Sequence, residues 1–181
     1  MGYDSQRKDC AIAMNIFILN VNPKNAAQEY HDSHVVKIIL ECAQCLCNVY
    51  HDQGINAPYK KTHFNHPVSV WMRSSKSNFI WSLSHLKYLL REYNFRYGKT
   101  HKTTEIYKWL VKNKSKLQFK NKHRTPFALA MPNEYKIHDF NVDTNAVLSY
   151  RQYYIKEKLV NKNGKLNKWT KRDIPNWINK F

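Results

Sequence analysis

His34, Lys37 and Glu41 are spaced so that one helix would gather them on one face, because positions i, i+3 and i+7 share a stripe. The stripe combines a general acid/base, a cation and a carboxylate. Lys37 can contact a phosphate or, if desolvated, act as a nucleophilic amine. His34 can position a phosphate or a sugar oxygen. Glu41, in a partly buried groove, can be held ionised or tuned by its neighbours. The competing reading is an ordinary solvated helix face.

The helix that must carry the stripe is expected to start at Asp32 or Ser33, with one of them as cap, and to run to about His51 before Gly54. Val35, Ile39, Ala43, Leu46 and Tyr50 define its core face, flanked by Val36, Leu40 and Cys47. The polar stripe continues to Gln44 and Asn48. An apolar arc of roughly 200° leaves little room for solvated surface. The stripe is therefore expected to line a narrow groove.

Thirty Lys+Arg face thirteen Asp+Glu, a net charge of +17. Such a field attracts nucleic acid or an anionic membrane surface. Lys60, Lys61, Arg73, Lys99, Lys102, Lys122 and Arg124 form the expected footprint. Within the polar loop 59–67, His63, Asn65 and His66 are candidate backbone contacts. Tyrosines and tryptophans interleave with these cations, as binding of a single strand or a flipped base requires. No apolar run reaches the roughly 18 residues of a membrane span, and no three-part signal peptide is recognised. An intracellular setting is expected: the cytoplasm or nucleus of a host cell, or a virion. Cys10, Cys42, Cys45 and Cys47 would then be thiols.

Cys42-x-x-Cys45-x-Cys47 lacks the second ligand pair of a zinc site, and reads as small buried hydrophobes. His31, Asp32 and His34 are conceivable ligands of a divalent metal, but nothing in the sequence sets a geometry. No metal or cofactor is assigned. Gly98-Lys99-Thr100 lacks the upstream glycine of a P-loop.

A chain of 181 residues, 43% hydrophobic and with only four glycines, fits one mostly α domain. Residues 1–13 read as an N-terminal extension and 14–181 as a compact single helical domain. Residues 15–21 form a short strand or extended lead-in. Helices are expected after Asn22-Pro23 to about Tyr30, briefly after Pro67, and over 77–97 up to a Gly98 cap. Two more span about 104–111 and 143–159. Within 77–97, His85 and Glu92 repeat the His34-to-Glu41 spacing.

Met14-Asn15-Ile16-Phe17-Ile18-Leu19-Asn20, then Asp32-x-His34 and Glu41, resembles the start of pyrimidine-dimer DNA glycosylases of the phage endonuclease V type. Residues 59–71, with Asn65-His66-Pro67, are similar to the Tyr-x-Asn-His-Pro segment of short bacterial relatives. Residues 89–98 resemble their Glu-plus-Arg-Gly-Tyr helix end. These scattered motifs cover residues 14–100. The resemblance implies a compact helical fold, glycosidic cleavage at a damaged base, and strand scission by β-elimination. In that family a terminal amine attacks the sugar C1′ and forms a Schiff base. A glutamate stabilises the sugar cation and manages the proton transfers. Glu41 matches that glutamate, and His34 matches a DNA-contacting histidine.

Three departures stand out. Thirteen residues precede Met14, so the amine requires a start at Met14, processing to a new terminus, or a lysine such as Lys37. Leu40 and Gln44 replace the arginines that flank the glutamate in dimer-cleaving members. Residues 101–181 exceed the short relatives. The function expected is thus a DNA glycosylase/abasic-site lyase acting on damaged or modified duplex DNA. The alternatives are a non-catalytic nucleic-acid-binding protein and an enzyme acting on a nucleotide or modified base. Asn-, Lys-, Ile- and Tyr-rich usage suggests an AT-rich genome, such as a viral one.

Overall fold

The computed structural model describes residues 15–180; the N-terminal extension, Met14 and Cys10 lie outside the described residues. Within them the chain is mostly α, with six helices, no strand, and a single isolated bridge between Val160 and Leu166. The helices are α1 (Pro23–Glu29), α2 (Asp32–Asp52), α3 (Pro67–Ser74), α4 (Lys76–Tyr97), α5 (Thr104–Asn113) and α6 (Val142–Lys158). One hydrophobic core runs from Ile16 to Ile178. The long α4 packs against α1, α2 and α3.

Local chemistry sets the helix ends. Asn22 caps α1 by accepting from the Lys24 and Asn25 N–H groups, and Pro23 takes the first turn, where no N–H is needed. Ser75 caps α4 through the Asn78 N–H at 3.1 Å. Gly98 ends α4 in the left-handed region, at φ 64°, with its N–H on the Asn94 carbonyl. The expected cap of α2 is corrected. His31 takes the N-cap position without a side-chain bond, and Asp32 lies inside the first turn. The Asp32 carboxylate is drawn away by Arg96 at 2.9 Å and by the Thr170 N–H and hydroxyl at 2.9 and 2.7 Å.

Residues 15–21 are irregular and form no strand. Ile16, Phe17, Ile18 and Leu19 are all buried, so the segment threads the core rather than lying on it. Each such side chain contributes about 1.5–3 kcal/mol by leaving water. Buried carbonyls must still be paired, and side chains do this in place of a sheet. The Tyr30 hydroxyl donates to the Phe17 carbonyl at 2.5 Å, Arg151 Nε to Leu19 at 2.8 Å, and Trp81 Nε1 to Val21 at 2.7 Å.

The C-terminal half closes over this thread. Tyr150 and Tyr154 of α6 are fully buried. The Tyr150 hydroxyl donates to the Ala128 carbonyl and accepts from the Ala130 N–H, fixing the irregular segment 126–131. Trp169 Nε1 donates to the Glu29 carbonyl and Trp177 Nε1 to the Glu29 carboxylate, which ties the tail to the end of α1.

Burial also holds three imidazoles neutral. It pushes His31 and His85 from 6.5 down to about 4. At His34, burial and the charges of His31 and Lys37 bring the value to about 2. Between pH 6.5 and about 4 the unfolded chain takes up protons that the folded chain refuses. Stability is therefore full above 6.5 and is lost as the pH falls through that window. The urea midpoint should drop steadily from neutral pH to about pH 4.5, and His85→Asn should flatten the slope. A midpoint independent of pH across that range would contradict this reading.

Candidate functional site

Glu41 lies on α2 and is only 9% exposed. Its Oε2 accepts from the Asn15 backbone N–H at 3.2 Å, and its Oε1 lies 3.4 Å from Lys37 Nζ. Burial raises its carboxyl above the ordinary range of 4.5, while Lys37, the Asn15 N–H and His63 work against the rise. The result is a buried carboxylate with two nitrogens in contact. Asn15 is itself buried: its Nδ2 donates to the Ala130 carbonyl at 2.6 Å, and its Oδ1 has no partner.

Lys37, one turn before Glu41, has a side chain 44% exposed. His34 sits at the other side of the stripe in an aromatic box. It stacks on Phe17 with centroids 5.0 Å apart, and its Nδ1 meets the Tyr154 hydroxyl at 3.0 Å. The His31 ring lies 3.9 Å from it. A neutral imidazole in this setting can orient a ligand by hydrogen bonding. It cannot hold a proton for delivery at neutral pH.

Further along the expected polar stripe, Gln44 is half-buried and Asn48 turns inward. Asn48 is fully buried, donating to the Thr62 carbonyl at 2.7 Å and the Ser69 hydroxyl at 2.9 Å. Val36 and Leu40, expected beside the core, are instead 41% and 42% exposed. The expected core face, Val35, Ile39, Ala43, Leu46 and Tyr50, is fully buried, and burial extends round the helix to Ile38, Cys42, Cys45 and Val49, which leaves the open side at Lys37 and Leu40. Cys42, Cys45 and Cys47 are buried thiols, all pushed up by burial, to about 12 for Cys45 and about 11 for Cys47. Among the described residues no group of three His, Cys, Asp or Glu is placed to hold a metal ion.

The expected cationic footprint divides in two. Lys60, Lys61, Lys99, Lys102 and Lys122 are exposed, with Lys61 over the Phe64 ring at 3.8 Å. His63 and Asn65 are exposed in the loop, and His63 has a positive φ of 48°. The charge of His63 bears on Glu41, so this loop borders the site. His66, however, is the cap of α3, its Nδ1 accepting the Val68 N–H at 3.3 Å. Arg73 donates to the Phe64 carbonyl at 2.6 Å and lies 3.4 Å from Asp52. Arg124 forms a two-pronged pair with Asp143. Those three side chains are each engaged with a partner within the protein.

No family model, curated protein or solved structure matches the chain. The site is therefore read from its own residues.

The repeated His-to-Glu spacing on α4 provides an internal comparison. Glu92 is 3% exposed and is met by Arg96 Nε at 2.8 Å and by two nitrogens of Arg172 at 2.9 Å. Glu92 is thus fully compensated and ties the tail to α4. Glu41, similarly buried, has a half-exposed lysine and one backbone N–H. Breaking a buried ion pair from one side costs about 3–5 kcal/mol. Glu92→Gln should lose stability on that scale. Glu41→Gln should fall within about 1 kcal/mol of the parent near pH 8, because its ionised form carries a burial cost that the amide lacks. Chemical denaturation of both variants checks this, and a comparable loss at Glu41 would make it a structural residue.

Proposed function

We propose that this chain is a DNA glycosylase/abasic-site lyase that acts on a damaged or modified base, with Glu41 as its catalytic carboxylate. The observation that carries the reading is the pair of nitrogens on one buried carboxylate: Asn15 N at 3.2 Å and Lys37 Nζ at 3.4 Å. An amine attacking C1′ displaces the base and forms a Schiff base on the opened sugar. Abstraction of a C2′ proton then expels the 3′ phosphate by β-elimination. Two easier steps replace one hard displacement. A carboxylate beside the sugar stabilises the cationic intermediate and moves the protons.

Within the 181-residue chain the Asn15 nitrogen is an amide without a nucleophilic lone pair, so Lys37 is the amine in contact with Glu41, and the Glu41 carboxylate is placed to take the proton that an ammonium must lose before it attacks C1′. Cleavage between Met14 and Asn15 would convert the Asn15 nitrogen into a primary amine at the same carboxylate. That change agrees with the terminal amine used by the family the sequence resembles. The net charge of +17 supplies attraction to the backbone, and exposed Lys60, Lys61, Lys99 and Lys102 are the side chains free to make phosphate contacts. The base must leave the stack to reach the site.

Duplex DNA containing one abasic site should be cut by the protein and trapped on it by borohydride. Glu41→Gln should lose at least about 100-fold in scission, the scale of a general acid/base. A chain beginning at Asn15 should be faster than the full chain. Unchanged scission in Glu41→Gln, or neither trapping nor scission in both forms, would sink the proposal. In that case salt-sensitive binding without chemistry would describe the protein instead.

A further inference from the structure

A second concave site shares no residue with the surroundings of Glu41. It is an open cleft of about 500 Å³ between the later turns of α4, the turn after Gly98 and the first turns of α5. Small-molecule sites span roughly 300–1,000 Å³. The lining is divided by chemistry. Leu90, 9% exposed, and Tyr107 form an apolar floor. Lys87 and Arg91, one turn apart on α4, stand at its edge, and Asn94, Thr100, His101 and Thr104 line the rest.

Arg91 is the decisive side chain. Among the described residues, Arg73, Arg96, Arg124, Arg151 and Arg172 each have a carboxylate partner, and Arg91 has none. Lys87 likewise has no ion pair among the described residues. The neighbouring acids are committed elsewhere: Glu92 to Arg96 and Arg172, and Glu105 to Lys108 at 2.7 Å. The Arg91 and Lys87 head groups lie 5.8 Å from the Tyr88 ring, at the outer reach of a cation–π contact. The Arg91 charge also bears on the Tyr107 phenol, opposing the rise that burial causes there. A guanidinium with no carboxylate partner, lining a cleft that also holds the Tyr107 ring, suits a phosphate joined to a flat ring.

We propose that this cavity binds a phosphorylated nucleoside, with the base on Leu90 and Tyr107 and the phosphate on Arg91 and Lys87. The ligand is a free nucleotide or an unpaired nucleotide within a strand, the shared chemistry being a base and its phosphate. Because the two sites share no residue, the proposal stands or falls separately from the role of Glu41.

Calorimetric titration of the full chain with dAMP, deoxyadenosine and inorganic phosphate tests it. The proposal expects dAMP to bind at least about tenfold more tightly than either fragment. The double variant Lys87→Ala/Arg91→Ala should weaken dAMP binding at least about tenfold, with its melting temperature kept. Lys162→Ala/Lys165→Ala removes the same charge from exposed lysines outside both sites and should leave dAMP binding unchanged. Competition with single-stranded oligo(dA) assigns the source: displacement of dAMP indicates a strand, and no displacement a free nucleotide. No dAMP binding at millimolar concentration, phosphate binding as tightly as dAMP, or equal weakening by the two double variants would each overturn the proposal.

Discussion

A carboxylate taken out of water needs donors around it or it gives up its charge. The fold meets that constraint in two ways at two glutamates of similar burial. Glu92 receives two arginines, and through them α4 is joined to Asp32 at the start of α2 and to the tail at Arg172. Arg96 also donates to the Gln28 carbonyl, so one guanidinium spans α1, α2 and α4. Glu41 receives far less: a lysine that also faces solvent, and the backbone N–H of Asn15. A residue left under-compensated inside a stable frame is costly to folding. Such costs are where chemistry is found.

The frame makes that arrangement possible. The thread 15–21 can run through the core because Tyr30, Arg151 and Trp81 pair its carbonyls. Its position brings the Asn15 nitrogen onto Glu41 and places Phe17 flat against His34. The C-terminal half supplies the opposite wall. Ala130 holds the Asn15 side chain, and Tyr154 holds His34. Its contribution here is to orient the residues that meet Glu41.

Much of the architecture was legible from spacing and punctuation. Asn22-Pro23, Pro67 and Gly98 marked helix ends that the structure keeps, and every expected helix is present to within a few residues. The face of α2 was harder to read. Periodicity reports which residues share a side. It does not report which polar groups will find partners inside, and Asn48 and Glu41 both do. Burying them rotates Val36 and Leu40 outward. The same limit applies to the basic footprint, where Arg73, Arg124 and His66 carry the right chemistry for phosphate but spend it on local partners. Asn15 carried a signal, as the polar residue in an otherwise apolar run. Its partner 26 positions away could be found only in three dimensions.

The most direct test of Glu41's role is to locate the amine that is trapped. Protein reduced with borohydride on abasic DNA would be digested and the adduct mapped by mass spectrometry, for the full chain and for a chain starting at Asn15. The account predicts an adduct on Lys37 in the full chain and on the Asn15 α-amine in the shorter one, each strongly reduced by Glu41→Gln. An adduct spread over exposed lysines such as Lys60 and Lys99, and insensitive to Glu41→Gln, would contradict it.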